Sequence, residues 1–129
     1  HVFAEEPMAL DMDRTSSMVA AVEQAGVKCA VGLMHRYGAA ALQLKGAIDA
    51  GSAGKPGIFQ ARFFNNDLQT PWWRDRTKSG GQILEQLIHT YDLARFLFGP
   101  VKSVFAYAAN QHHKHVDNYT SDDTSASII

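Results

Sequence analysis

Ser79-Gly80-Gly81-Gln82-Ile83-Leu84-Glu85-Gln86-Leu87-Ile88-His89-Thr90-Tyr91-Asp92 runs from two glycines into a helical pattern that carries a carboxylate, an imidazole and a second carboxylate at 85, 89 and 92. At ~3.6 residues per turn, positions four and seven apart return to one face, so the spacing predicts a single polar stripe. Leu84, Leu87, Ile88, Tyr91, Ala94 and Phe98 are expected on the opposite side. Leu93, Phe96 and Leu97 make the last turns apolar all round, which signals deep burial. The helix is expected over 81–98, stopped by Gly99-Pro100. Ionisable groups held away from water are where proton-transfer chemistry concentrates; the competing reading is the solvated face of an ordinary amphipathic helix.

Beyond this helix, 101–110 alternates as a strand with one covered face, 111–121 is a polar loop, and Thr124 to Ile129 begins another strand. Before it, 66–79 is polar around Trp72-Trp73 and reads as a long loop, and Ile58 to Asn65 alternates as a strand. Residues 51–57 form a turn region. Residues 38–50 are expected to be a helix with Leu42, Leu44, Ala47 and Ile48 on its inner side. Lys28 to Met34 is a continuous apolar run, the signature of a parallel strand covered on both faces. Residues 2–6 read as a short strand, and Asp11 or Asp13 can cap a helix that ends near Ala25, with Gly26 as a left-handed stop. Strand, helix, strand is a crossover unit, the closing part of a doubly wound sheet. The remainder is α+β: a helix or two on an antiparallel sheet.

At 129 residues the chain can bury a core, and 46% apolar with 19% charged residues is ordinary for a soluble globular protein. A net charge of −1 gives no reason to propose nucleic acid or an anionic membrane as partner. No apolar run approaches the ~20 residues of a bilayer span. The single Cys29, within an apolar run, excludes an intramolecular disulfide and fits a reducing, cytoplasmic setting. Both ends read as strands that need neighbours, so we expect a piece of a longer protein.

His1-Val2-Phe3-Ala4-Glu5-Glu6-Pro7, Val31-Gly32-Leu33-Met34-His35-Arg36-Tyr37 and Gly80 to Asp92 together resemble the Gfo/Idh/MocA family of nicotinamide-dependent oxidoreductases. In that family a strand ends in Glu-Lys-Pro, a later strand ends near an arginine, and a Gly-Gly helix start carries Asp-x-x-x-His-x-x-Asp. Two positions depart from the pattern: the lysine is Glu6 and the first helix carboxylate is Glu85. The resemblance implies that 1–37 close a Rossmann-type dinucleotide-binding domain and that 38–129 begin an α+β substrate and oligomerisation domain. It implies hydride transfer between NAD or NADP and a hydroxyl-bearing carbon of a sugar or cyclitol. No G-x-G-x-x-G phosphate turn occurs here, so this chain alone is not expected to bind NAD(H).

Loss of a hydride requires loss of the hydroxyl proton, so a general base belongs within hydrogen-bond reach of that oxygen. Imidazoles titrate near neutrality, and His89 matches the family histidine. Glu85, one turn earlier, is expected to orient its ring, and Asp92 to accept hydrogen bonds from substrate hydroxyls. Glu5, Pro7 and Arg36 are expected on the cofactor side. Asn65, Trp73 and Arg74 are expected on the substrate side. The charge of Glu6 is expected to oppose a developing alkoxide, so Glu6→Lys is expected to raise turnover. His112, His113 and His115 lack the spacing of a metal site, and none is expected. Two other classes fit parts of the pattern: an assembly domain using a sheet face of Phe59, Phe63, Phe105 and Tyr107, and a metal-dependent hydrolase with Glu85, His89 and Asp92 as ligands.

Overall fold

The computed structural model describes every residue except 66, 68 and 69, three positions of the expected 66–79 loop. Strand β1 (Val2–Ala4) pairs in parallel with β2 (Cys29–Val31), register Val2↔Cys29 to Ala4↔Val31, with helix α1 (Met12–Gln24) between them. Asp11 caps α1, its side chain accepting from the Arg14 N–H at 2.8 Å. Gly26, at φ +60°, follows its end as the left-handed stop.

The apolar run 28–34 does not continue as a strand. The Leu33 N–H donates to the Val31 carbonyl (2.8 Å) and the Met34 N–H to that of Gly32 (2.7 Å), two successive three-residue turns. Leu33, at φ −71° and ψ 65°, sits in the inverse γ-turn region. A 3₁₀ turn over Met34–Tyr37 follows, and it carries His35 and Arg36 toward the main helix. The side chains of β2 are exposed or half-buried, so the expected cover on both faces is not found.

Helix α2 (Ala39–Asp49) lies where expected but is turned about its axis. Leu42 and Leu44 are exposed, while Ala41, Lys45 and Ile48 are half-buried on the side nearer the main helix. Lys45 makes this possible. Its Nζ lies 5.8 Å from the Phe96 ring centroid and pairs with Asp49, so the stem covers apolar surface while the charge reaches water.

Ile58 to Asn65 joins no ladder; Phe59 instead meets Phe98 edge-on, centroids 5.8 Å apart. Within the expected loop, α3 (Pro71–Arg74) forms one turn that starts on proline and buries Trp73. A π-turn over Ile83–Leu87 leads into α4 (Ile88–Phe98), which ends at Gly99 with φ +93°. Strands β3 (Phe105–Ala109) and β4 (Thr124–Ile128) are antiparallel, with Phe105 opposite Ile128 and Tyr107 opposite Ala126. Those side chains share one exposed face; small residues occupy the other, where Ser127 shares a 2.9 Å hydrogen bond with the Tyr91 hydroxyl.

The architecture is a parallel βαβ unit followed by helices and an antiparallel pair. Among the described residues, the buried apolar side chains are Trp73, Ala94 and Leu97. Ser79 and Ser121 are enclosed beside them, and Gly81 (φ +65°) passes so close that a Cβ there would lie 2.9 Å from that of Ser121. Among the described residues no helix is long and apolar enough to cross a membrane.

Candidate active site

The polar stripe of the main helix faces inward. His89 and Asp92 are among its most buried residues, at 9% and 4% exposure, whereas Arg95 and Phe98 are exposed. Burial of such groups is costly without partners, and each has found one. The partners come from the carboxyl ends of β1 and β2, where ligands of parallel sheets collect.

Glu6 follows β1, next to the cis Glu6–Pro7 peptide. Its Oε1 lies 3.0 Å from His89 Nε2. A carboxylate only accepts, so this contact places the ring proton on Nε2 and leaves the Nδ1 lone pair available. Nδ1 is buried and has no hydrogen-bond partner, and neither has Glu6 Oε2. The carboxylate tips of both glutamates turn toward Gly32, where a Cβ would lie 2.7 Å from Glu5 Oε2 and 3.0 Å from Glu6 Oε2. His35 stacks on His89, with centroids 4.3 Å apart and planes inclined by 24°. Sequence reasoning missed His35, although its place beside Arg36 at a strand exit was a usable signal.

Arg36 grips Asp92 with two hydrogen bonds, Nε to Oδ2 at 2.5 Å and a second from its terminal nitrogen to Oδ1. The hydrogen bond to Asp92 raises the guanidinium above its ordinary pKa, outweighing the opposing effect of burial. This arrangement changes two expected roles. Asp92 gives both oxygens to Arg36 rather than standing open to substrate hydroxyls, and Arg36 spends its fork on Asp92 rather than on a cofactor.

Glu85 is not the orienter of His89. Its Oε1 accepts from Ser79 Oγ at 2.9 Å, and the same Oγ accepts from the Gly81 N–H at 3.1 Å. The π-turn explains the difference: Glu85 lies inside Ile83–Leu87, where the wider winding breaks the register that a uniform α-helix gives 85 and 89. Glu6 holds the position against His89 that the sequence assigned to Glu85.

The expected substrate-side residues lie apart from this dyad. Trp73 is buried, and the carbonyl of Arg74 accepts from the N–H groups of Thr120 (3.0 Å) and Ser121 (3.1 Å), which fixes α3 to the loop before β4. Asn65 Oδ1 accepts from the Asp67 N–H at 2.9 Å. Phe59 turns toward α4 and leaves the exposed sheet face to Phe105, Tyr107 and Ile128. Among the described residues, no three His, Cys, Asp or Glu side chains are grouped to hold a metal.

Asp123 organises the histidine-bearing loop. Burial alone would raise its carboxyl, but N–H groups of Gln111, His113 and His112 and the Thr124 hydroxyl outweigh this and hold its pKa at about 2. A depressed carboxylate stabilises the fold above the unfolded value and loses that contribution as pH falls through the folded one. The difference from an ordinary aspartate corresponds to roughly 2 kcal/mol. Acid unfolding followed by circular dichroism should show this loss between pH 3.8 and about 2, and Asp123→Asn should flatten that part of the curve.

A profile of the GFO/IDH/MocA C-terminal domain matches residues 41–129. The scyllo-inositol 2-dehydrogenase (NAD(+)) of Bacillus subtilis (strain 168) is 31% identical over 129 residues, covering 99% of this chain and 37% of that enzyme. Myo-inositol 2-dehydrogenase of Thermotoga maritima is 33% identical over 107 residues, covering 82% of this chain and 31% of that enzyme. Among solved structures, the WlbA dehydrogenase from Bordetella pertussis, in complex with NADH and UDP-GlcNAcA, matches with a TM-score of 0.81 at 30% identity, covering 98% of this chain and 39% of that one. The chain belongs to the GFO/IDH/MocA family. It spans less than two-fifths of the length of these relatives.

Proposed function

We propose that this chain forms part of an oxidoreductase that moves a hydride between NAD or NADP and a hydroxyl-bearing carbon of a cyclitol or sugar. One observation carries the reading: a buried imidazole whose Nε2 is held by a carboxylate and whose Nδ1 has no protein partner. A nitrogen so placed is a proton acceptor waiting for a ligand hydroxyl.

The residues at the ends of β1 and β2 fit the reactive end of such a cofactor. The two orphaned atoms, Glu6 Oε2 and His89 Nδ1, need hydrogen-bonding neighbours, and Glu5 and Pro7 flank them. The phosphate-cradling turn is not among these residues. When bound, the nicotinamide supplies the hydride acceptor. His89 Nδ1 then takes the hydroxyl proton as the O–H bond breaks and the carbonyl forms. Glu6 stabilises the resulting imidazolium at Nε2, the part a buried carboxylate plays beside a catalytic histidine. Arg36 and Asp92 hold α4 against the β2 exit and so keep His89 in place.

On this reading, residues 1–37 close the dinucleotide-binding domain and 38–129 begin the substrate domain. The exposed face of Phe105, Tyr107 and Ile128 supports a homo-oligomer formed through the sheet, since exposed apolar patches of this kind mark interfaces. The test is a steady-state assay of the intact protein that carries this chain, on a panel of cyclitols and sugars with each cofactor. Reduction of one cofactor by at least one cyclitol or sugar is expected. Reduction of neither by any member would end the dehydrogenase reading and leave the assembly role.

A further inference from the structure

One member of the histidine-bearing loop is built into the fold as carefully as His89. His113 Nδ1 lies 2.9 Å from Asp123 Oδ2. The Asp123 side chain is 3% exposed, and both its oxygens are fixed by the N–H groups of Gln111, His112 and His113 and by the Thr124 hydroxyl. The ring also stacks on Tyr119, centroids 4.6 Å apart. A carboxylate on Nδ1 fixes the ring proton there and turns Nε2 into an acceptor of known direction.

His113 borders a cavity of about 740 Å³ between β4, the start of the main helix and the 61–65 segment. It also borders a water-sized cleft of about 20 Å³ that it shares with Asn65, Trp73 and Gln86. The walls of the larger cavity combine the amides of Asn65 and Gln82 and the hydroxyls of Thr90 and Ser125 with the ring of Phe63. Groups that both donate and accept, set against an aromatic face, suit a neutral molecule rich in hydroxyls. The carboxylate in the wall, Asp123, is already saturated, and the one arginine, Arg62, is exposed, so no anion cradle is formed.

We infer that His113, oriented by Asp123, binds a hydroxyl of a neutral polyhydroxylated ligand in this cavity. This cavity is lined by Leu87, Thr90 and Tyr91, across the main helix from His89, and the inference takes its ligand class from the polyol reading above as well as from the cavity walls.

The test uses the intact protein free of nicotinamide, labelled with ¹⁵N-histidine and titrated with myo-inositol, scyllo-inositol and glucose. His113 is expected in its Nδ1–H tautomer, with a saturable shift of the Nε2 resonance for at least one of the three. His113→Phe keeps a ring against Tyr119 and removes the acceptor; it should weaken that binding about tenfold. The titration of the unaltered protein stands even where the variant fails to fold. A protein that shifts at His113 but reduces no cofactor supports this inference while the dehydrogenase reading falls. A protein that oxidises a polyol with no change at His113 overturns the inference and leaves the dehydrogenase reading standing. No shift with any of the three also overturns it.

Discussion

Asparagine in place of His89 should lower the turnover of polyol oxidation by the intact protein about 100- to 10,000-fold, the range that a positioned general base contributes. The size follows from the isolation of the group. His89 is nine-tenths buried, Glu6 occupies Nε2, and His89 Nδ1 has no hydrogen-bond partner among the described residues. Asparagine keeps a polar side chain of moderate volume there and removes the proton acceptor. The loss should therefore fall on kcat, with thermal unfolding of the variant showing that the fold is kept. Turnover within tenfold of the parent would mean that the proton leaves by another route.

Methionine in place of Arg36 is expected to cost about 3 kcal/mol of stability, because it strands the buried carboxylate of Asp92 without its partner. Asp92 is 4% exposed and draws both its hydrogen bonds from Arg36. The arginine also lies 5.4 Å from the Phe96 ring, so methionine retains the apolar contact and the loss isolates the charge. Replacing both partners, Arg36→Met with Asp92→Leu, should recover much of the loss, since an apolar pair leaves no buried charge. Denaturant unfolding of the single and double variants measures this directly. Equal destabilisation by both would show that packing, and not the unpaired carboxylate, sets the cost.

The sequence carried local signals faithfully and long-range ones partly. The cap at Asp11, the stop at Gly26 and the end of the main helix at Gly99 depend on neighbours in sequence, and all three stand as expected. The βαβ order and the β3–β4 pair were also legible, because period and turn residues mark them. The strand expected at 58–65 failed because alternation describes a half-covered surface and does not supply a ladder partner. Its Phe59 packs on a helix instead. In the site, His89 and Glu6 were legible as residues but not as a pair, since their contact spans 83 positions. The π-turn that removes Glu85 from His89 left no mark in the apolar pattern. His35 was overlooked because its stacking partner, His89, lies 54 positions away in sequence.

The reversed charge at position 6 is where the sequence reading and the structure part most sharply. Read as a sequence, Glu6 opposes the reaction, and lysine should improve it. In the structure Glu6 holds His89 by Nε2, and a lysine there would set a cation against the imidazolium that forms during turnover. The decisive measurement is kcat for polyol oxidation by the intact protein and its Glu6→Lys variant, under identical cofactor and pH. A fall of about tenfold or more in the lysine variant is the expected result, since an orienting carboxylate beside a catalytic histidine is being removed. A lysine variant that turns over faster than the parent would contradict the Glu6–His89 dyad as the working centre of this site.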